Sequence, residues 1–418
     1  MKKVITSGMI GNGLEWYDYA LYGQMAALLG TLFFPAGDAG VQLLATYGVF
    51  AAGFIVRPLG AILFGWVGDK YGRKAAMVLA VLMMAIPTGC IGLLPTYSEV
   101  GLLAPVLLTI IRLLQGLSLG GEFAGSITYI VEHAPQKRRG IAGASSLVSM
   151  LLGFLLGSLI VNIVVGAMGR EAFEAWGWRL PFLGGIIIGL VGFYIRRCCE
   201  ESPVYEEAKQ ENRISQTPVR AAFAKHRYEM LQGFGLYLTV TMPFYLATVY
   251  FISFSEKHLG TSMQDALRFN VYNILAMLVT MPLSAWLSDR IGRKKMLAIG
   301  GFLMFFATPI LFLQFTQGAS LLAIGLSQFI FAAIVGLYAG TMPTLLVELF
   351  PTSVRFTGMA IAYNLAAALF GGTAPLVCEW LLKETGSNWS IGGYVMLCNI
   401  ISLIALYFTK ERFNEKLR

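Results

Sequence analysis

The chain has 418 residues, of which 56% are hydrophobic and only 13% are charged. Soluble proteins usually carry about a quarter charged residues. Together with a mean hydropathy of +0.68, this composition excludes a disordered chain, a coiled coil and a disulfide scaffold, and it argues against a soluble enzyme. The lipid bilayer is the expected solvent, and about 20 residues per span plus short loops leave room for roughly twelve helices.

Twelve apolar runs follow one another along the chain, separated by short links. They cover residues 8–33, 42–67, 75–94, 102–130, 142–167, 181–198, 229–254, 267–287, 296–315, 319–346, 358–381 and 390–408. The longer polar stretch at 199–226 predicts a cytoplasmic linker. The expected fold is an all-α integral membrane protein with twelve transmembrane helices in two pseudo-symmetric six-helix bundles, at 1–198 and 227–418.

The placement of the basic residues predicts the orientation in the membrane. Most of the 31 Lys and Arg residues fall in segments on one side, which is also the side of both termini. Because cytoplasmic loops carry the excess of Lys and Arg, both termini are predicted to lie in the cytoplasm, with the protein in the inner membrane. The net charge of +8 forms no basic face, so no nucleic-acid partner is expected. The five cysteines show no metal-site spacing, and no metal or cofactor is expected.

Two loop signatures each occur twice, at almost the same separation. Residues 65–74 and 285–294 read GWVGDKYGRK and AWLSDRIGRK, and residues 131–139 and 347–355 read VEHAPQKRR and VELFPTSVR. Chance basic loops would repeat the charge but not the matched Asp, Gly, Glu and Pro positions. The repeats therefore indicate two parallel six-helix halves, an architecture typical of secondary transporters.

These loops resemble the signature loop of the major facilitator superfamily. Four further segments resemble its metabolite:proton symporter family, which includes proline/betaine, shikimate, ketoglutarate and citrate carriers: GNGLEWYD at 11–18, RPLG at 57–60, RLLQGLSLGGE at 112–122 and WRLPF at 178–182. The resemblance implies proton-coupled uptake. Osmosensing proline/betaine carriers have a long C-terminal extension, whereas this sequence ends about ten residues after its last apolar run, so osmotic regulation of that kind is not expected.

Five ionisable residues fall well inside the apolar runs of the N-terminal half: Glu15, Asp18, Arg57, Arg112 and Glu122. A charge at this depth is costly and usually functional. Desolvation strengthens proton binding by a carboxyl and a neighbouring arginine weakens it, so the three carboxyls are the expected proton carriers. Glu122 comes first, since it shares a polar helical stripe with Arg112. Permanent ion pairs with the two arginines are the open alternative.

Arg112 is the strongest candidate for a substrate carboxylate, because its planar guanidinium can bind two oxygens. The other predicted substrate ligands are polar or aromatic residues inside the apolar runs: Arg57, Asn12, Tyr19, Gln115, Tyr237, Thr241, Tyr245, Asn270, Asn273, Tyr338 and Asn364. For those of the C-terminal half, ordinary packing is the simpler explanation. Tyrosines and Trp16 could also surround a betaine-like ammonium group.

The repeated loops predict contacts that hold the cytoplasmic side closed during part of a transport cycle. Asp69 is expected to face a helix N-terminus of the other half. Arg73 and Arg139 are expected to pair with Glu132. Weaker counterparts are expected at Asp289, Arg293 and Glu348. Simple topology charge is the alternative explanation for both sets.

The sequence thus predicts a monomeric proton-coupled symporter that takes up a small carboxylate-bearing metabolite or a zwitterionic osmolyte by alternating access. Its partners would be the small-molecule substrate, protons and the lipid bilayer. Two alternatives remain open: an exporter or exchanger of organic anions, and a membrane sensor that binds its substrate without transport. An enzyme is not expected.

Overall fold

The computed structural model describes residues 2–35, 37, 39–315 and 318–417, and within them every regular element is helical. The N-terminal half contains α1 (Lys2–Gln24), α2 (Ala26–Phe33), α3 (Ala39–Lys70), α4 (Arg73–Leu93), α5 (Tyr97–Val100), α6 (Leu103–His133), α7 (Arg139–Met168), α8 (Arg170–Ala172) and α9 (Arg179–Arg197). The predicted linker contains α10 (Pro203–Gln210) and α11 (Pro218–Lys225). The C-terminal half contains α12 (Arg227–Tyr245), α13 (Phe251–Leu259), α14 (Met263–Ile291), α15 (Arg293–Phe312), α16 (Leu321–Ala339), α17 (Met342–Leu349), α18 (Arg355–Ala366), α19 (Ala374–Thr385) and α20 (Trp389–Phe408).

Eleven helical segments in the described part of the chain are long and apolar enough to cross a membrane. They coincide with eleven of the twelve predicted spans. The remaining prediction, 8–33, falls on α1 and α2, where Asn12, Glu15 and Asp18 lower the hydropathy of the longer helix. The prediction of an all-helical membrane protein is confirmed.

The described residues group into two compact units that do not follow the chain continuously. The first unit takes residues from 1–133, 149–221 and 352–361, and the second takes 134–148, 222–351 and 362–418. Two short segments are therefore exchanged relative to the sequence order: 134–148 packs with the second unit and 352–361 with the first.

In the first unit, α3 and α6 pack closely where glycine replaces a side chain. A Cβ atom on Gly120 would lie 2.3 Å from the Arg57 carbonyl oxygen, and one on Gly60 would lie 2.0 Å from the Leu117 carbonyl oxygen. Small residues let membrane helices approach backbone to backbone. This crossing brings the helix that carries Arg57 against the helix that carries Arg112.

The second unit repeats this crossing between α14 and α16. A Cβ atom on Gly340 would lie 2.1 Å from the Met281 carbonyl oxygen, and one on Gly336 would lie 3.2 Å from the Cα atom of Met277. Gly340 follows Gly120 by the same 220 residues that separate the first pair of loop signatures. The internal repeat is therefore expressed in helix packing as well as in loop sequence.

The matched glycines of the loop signature have a backbone reason. Gly72 ends the link from α3 to α4 with φ of 112°, and Gly292 ends the link from α14 to α15 with φ of 101°. Side chains disfavour this region, whereas glycine enters it freely. Each glycine lets the chain reverse within two residues, so that the Asp before the turn and the Arg after it come together.

Candidate functional site

The five ionisable residues that the sequence places inside apolar runs form three separate acid–arginine pairs, the third of which is completed by Arg196. Asp18 on α1 accepts a hydrogen bond of 2.5 Å from Arg112 Nη1 on α6. Glu15 lies 3.6 Å from Arg57 on α3. All four side chains are at most 5% exposed. An unpaired charge at this depth would be strongly destabilising, so the pairs explain how one six-helix unit can contain them.

Arg112 is only partly satisfied by its carboxylate. Its guanidinium carbon lies 3.8 Å from the centre of the Tyr22 ring, a cation–π contact. Among the described residues, its buried Nε and Nη2 atoms have no hydrogen-bond partner. Gln115 donates to Asp18 Oδ1 at 3.0 Å and to Thr88 at 2.8 Å, and its own amide oxygen is unpartnered. The site therefore offers two unused donors and one unused acceptor beside Asp18.

The Glu15–Arg57 pair is looser and lies next to aromatic rings. Arg57 is 5.3 Å from the centre of the Phe54 ring, and Phe54 in turn lies 5.7 Å from Tyr19. Trp16 continues the aromatic wall, with its ring 5.4 Å from that of Tyr19. Glu15 Oε2 is buried and has no partner among the described residues.

Glu122 pairs with an arginine that the sequence analysis did not single out. Arg196, at the end of α9, is fully buried and donates through both terminal nitrogens to Glu122, at 2.7 Å for Nη1. Its remaining donors reach the carbonyls of Ser7 at 3.1 Å and Met77 at 2.6 Å. Neither Arg57 nor Arg112 forms an ion pair with Glu122. The missed signal is that Arg196 continues the buried face of α9, four residues after Gly192.

The predicted ligand Asn12 is engaged within the first unit, where its amide donates to Ser149 at 3.0 Å.

The helix α6 contains a serine in a motif that is also found in enzymes. Residues 116–120 read GLSLG and match the G-x-S-x-G pattern of hydrolases. That motif requires a strand-to-helix turn. Here Ser118 lies inside α6 and donates to the Ala80 carbonyl at 2.7 Å, so it is a helix contact and not a nucleophile.

In the second unit, two of the predicted polar ligands, Asn270 and Asn273, bind a π-helical turn at Leu246–Tyr250. Asn270 donates to the Thr248 carbonyl at 2.8 Å, and Asn273 donates to the Ala247 carbonyl at 3.1 Å. These bonds satisfy carbonyls that the irregular turn exposes. The Asn273 amide oxygen is buried and unpartnered among the described residues.

The other predicted residues of this unit are mostly buried. Tyr338 donates to the Leu236 carbonyl at 3.1 Å, so its hydroxyl serves helix packing. Tyr237 lies 5.5 Å from Tyr363, ring centre to ring centre. The side chains of Thr241 and Asn364 are buried, and that of Tyr245 is half-buried.

Asp69 lies at the N-terminus of α18. Its carboxylate accepts hydrogen bonds from the backbone N–H groups of Phe356, at 3.1 Å, and Thr357, at 2.8 Å. It also pairs with Arg73 at 3.1 Å. The unsatisfied N–H groups and the positive end of the helix dipole both favour a carboxylate at this position.

Glu132 is the centre of this network, with one partner predicted and one missed. It pairs with Arg73 at 3.3 Å and with Arg355 at 2.6 Å. The prediction that Arg139 pairs with Glu132 is wrong, because Arg139 lies in the segment 134–148, which packs with the second unit. There it lies 4.0 Å from Glu348, while Arg355 occupies the place beside Glu132.

The second unit contains a matching network. Asp289 accepts hydrogen bonds from the N–H groups of Gly140, at 2.8 Å, and Ile141, at 3.0 Å, in the first turn of α7. Arg293 pairs with Asp289 at 2.7 Å and with Glu348 at 3.3 Å. This set repeats the contacts of the first network, but its outer arginine lies farther from the glutamate: Arg139 is 4.0 Å from Glu348, against 2.6 Å between Arg355 and Glu132.

The start of the linker also joins the first network, which the sequence analysis missed. The Glu201 carboxylate accepts hydrogen bonds from the N–H groups of Arg73, at 3.0 Å, and Lys74, at 3.2 Å, and the Ser202 hydroxyl donates to Glu132. Burial raises the pKa of Glu201, while the hydrogen bonds and Arg73 act in the opposite direction. The available signal was the acidic pair Glu200 and Glu201, which follows soon after Arg196 and Arg197 at the end of α9.

Comparison with known proteins agrees with this fold. The family model described as Major Facilitator Superfamily matches residues 19–375 and 272–417. Among solved structures, the proton:xylose symporter XylE bound to 6-bromo-6-deoxy-D-glucose superposes with a TM-score of 0.83 at 20% identity, over 99% of this chain and 97% of the other. The chain belongs to the major facilitator superfamily and is a multi-pass membrane transporter for a small molecule, so the prediction that it is not an enzyme is confirmed.

Two relatives narrow the resemblance. The chain is 35% identical to the glycine betaine/proline/ectoine/pipecolic acid transporter OusA of Dickeya dadantii and 32% identical to the proline/betaine transporter of Escherichia coli K12. Both alignments cover 100% of this chain and 85% of the relative. The predicted resemblance to proline/betaine carriers is confirmed.

Proposed function

We propose that this protein is a proton-coupled symporter for a small zwitterion of the proline or betaine type, located in the inner membrane with both termini in the cytoplasm. The observation that carries the proposal is the state of Arg112. It is buried, it is held by Asp18 on one side, and two of its donors have no hydrogen-bond partner in the part of the chain that the structure describes. A carboxylate is the group that matches two parallel guanidinium donors.

Asp18 is the carboxyl best placed to couple proton and substrate, because it shares Arg112 with the proposed substrate carboxylate. Two carboxylates beside one arginine repel each other, so substrate binding favours protonation of Asp18. Loss of the proton would restore the Asp18–Arg112 pair and favour release of the substrate. Glu15, which has one carboxylate oxygen without a hydrogen-bond partner among the described residues, is the second candidate.

Glu122 is less suited to coupling than the sequence predicted. Arg196 holds it through both terminal nitrogens and is itself tied to two backbone carbonyls. A carboxylate with both oxygens bonded in this way is better suited to holding helices together than to carrying a proton. We propose that Glu122 and Arg196 hold α6, α9 and the start of α1 together.

The cationic end of the substrate would meet the aromatic wall of Trp16 and Tyr19. Aromatic faces bind ammonium groups that lack strong hydrogen-bond donors. Arg57 already lies over Phe54 of the same wall. Among the candidates of the second unit, Asn273 has an amide oxygen to which no described residue donates, and it remains a proposed ligand.

The two carboxylate–arginine networks are proposed to open and close during transport. Asp69 and Asp289 each bind a helix N-terminus through hydrogen bonds that a modest movement can break. In the same movement the charged residues behind these aspartates would exchange partners, namely Arg73, Glu132, Arg293, Glu348 and Arg139.

The experiment that tests the substrate class compares ligands that differ in one group. Thermal stability of the purified protein is measured with betaine, proline, choline, citrate, ketoglutarate and shikimate, since a ligand raises stability by mass action. We expect betaine and proline to stabilise the protein. Choline, which has the ammonium but no carboxylate, should not. Stabilisation by citrate or ketoglutarate alone would contradict a zwitterion site.

A further inference from the structure

A groove on the surface of the second unit runs between α15 and α20. Its volume is about 430 Å³, which is within the range of small-molecule sites. The walls are apolar and aromatic, and they include Phe302, Phe305, Phe306, Ile400, Ile404 and Tyr407. Both helices are candidate membrane spans, so this surface is expected to face lipid tails.

Basic residues gather where α15 begins and α20 ends. The Lys294 ammonium donates to the carbonyl oxygens of Tyr407 and Thr409, both at 2.8 Å, and so joins the two helix ends. Lys295 is exposed and lies on the same face of α15 as Phe302, seven residues later. Lys410, directly after α20, is also exposed.

Glu411, the acidic residue at this end of the two helices, neutralises only part of the positive charge of Lys294, Lys295 and Lys410. The Glu411 carboxylate accepts hydrogen bonds from the N–H groups of Lys294, at 2.8 Å, and Phe413, at 3.1 Å. It is therefore committed to the N-terminus of α15, whereas no ion pair is recorded for Lys295 or Lys410 in the described part of the chain.

We propose that this groove binds a phospholipid with an anionic headgroup. One acyl chain would lie against the apolar and aromatic side chains that line the groove, and the headgroup phosphate would meet Lys295 and Lys410. Basic pockets beside transmembrane helices on the cytoplasmic side are suited to anionic headgroups. A second copy of this chain fits less well, because a two-fold interface would bring the same lysines against each other.

The test is native mass spectrometry of the full-length protein in detergent, with dioleoyl-phosphatidylglycerol or dioleoyl-phosphatidylcholine added. The wild type should retain the anionic lipid in preference to the zwitterionic one. Lys295→Gln and Lys410→Gln should each weaken phosphatidylglycerol binding about fivefold, since each basic residue near a membrane surface contributes about that factor. Phe302→Ala should weaken binding of either lipid.

Two control variants lie outside the groove. Lys383→Gln removes an exposed lysine from α19, and Phe329→Ala removes a partly exposed ring from α16. Both should bind phosphatidylglycerol as the wild type does. Equal retention of the two lipids, or equal effects of Lys295→Gln and Lys383→Gln, would overturn the proposal. A dimer that Phe302→Ala dissociates would instead assign the groove to a second copy.

Discussion

Arg112 has five N–H donors, and the described contacts of its guanidinium are one carboxylate bond and one aromatic face. The sequence indicated a buried functional arginine, because a charge inside an apolar run is seldom accidental. It could not identify Asp18 as the partner, since the distance between α1 and α6 depends on how the helices pack. The unpartnered donors are visible only once both helices are in place.

Arg112→Lys is expected to abolish most transport while leaving the fold intact. Lysine keeps the positive charge beside Asp18 but loses the planar fork that binds two carboxylate oxygens. The measurement is betaine or proline uptake by whole cells, together with the melting temperature of the purified variant. Near-normal uptake would show that only the charge matters. A collapse in melting temperature with lost uptake would make Arg112 a structural residue.

The two carboxyls Asp18 and Glu122 should respond differently to removal of their charge. Glu122→Gln leaves Arg196 buried without its counter-charge, which should cost about 3–5 kcal/mol and lower the melting temperature and substrate binding together. Asp18→Asn mimics a permanently protonated carboxyl, and in the proposed mechanism the carboxylate of the bound substrate replaces Asp18 as the counter-charge of Arg112. It should retain substrate-for-substrate exchange and lose proton-driven accumulation.

The two variants are compared side by side in exchange and net uptake assays. A stable Glu122→Gln protein that exchanges substrate but cannot accumulate it would show that Glu122 couples proton movement to substrate uptake. Loss of both activities in Asp18→Asn, with a fall in melting temperature, would place Asp18 in the structural class.

At the scale of elements, two aspartates bind the first turns of two helices. Asp69, at the end of α3, binds the N-terminus of α18, and Asp289, at the end of α14, binds the N-terminus of α7. Each combines two backbone hydrogen bonds with the helix dipole. The loop repeat therefore exists because both turns need a glycine to reverse, an aspartate to bind a helix and an arginine to hold that aspartate.

Asp69→Asn should loosen α18 and leave α7 unchanged. The amide loses the charge–dipole interaction, worth about 0.3–1 kcal/mol at a surface and up to about 2 kcal/mol when partly buried. Amide hydrogen exchange at Phe356 and Thr357 should accelerate by up to about 30-fold. Asp289→Asn is the matched control and should accelerate exchange at Gly140 and Ile141 instead. Unchanged exchange in both variants would contradict the assignment.

The sequence predicted the helices well and their irregularities poorly. Eleven spans were found because hydropathy and length are dictated by the bilayer. The π-helical turns at Leu246–Tyr250 and Ala367–Gly371 have no equally simple sequence signature. Charged residues at helix ends were also hard to assign from the sequence. Arg196 was not recognised as the partner of Glu122, because the sequence does not show that its long side chain points back along the buried face of α9.

At the scale of the whole molecule, the chain crosses between its two compact units more often than the sequence suggests. The predicted division at 1–198 and 227–418 follows the internal repeat. In the structure, the segments 134–148 and 352–361 group with the units opposite their sequence halves. This exchange explains why Arg355 reaches Glu132 while Arg139 reaches Glu348. Contacts of this kind cannot be derived from a repeat alone, because the repeat defines equivalent positions and not partners.

We propose that substrate uptake is coupled to protons through the buried carboxyls of the first unit. The most direct measurement is accumulation of labelled betaine or proline in proteoliposomes with an imposed pH gradient and no sodium. We predict accumulation above the external concentration when protons flow inward, abolished by a protonophore and absent in Asp18→Asn. Accumulation that requires sodium and ignores the protonophore would contradict the claim.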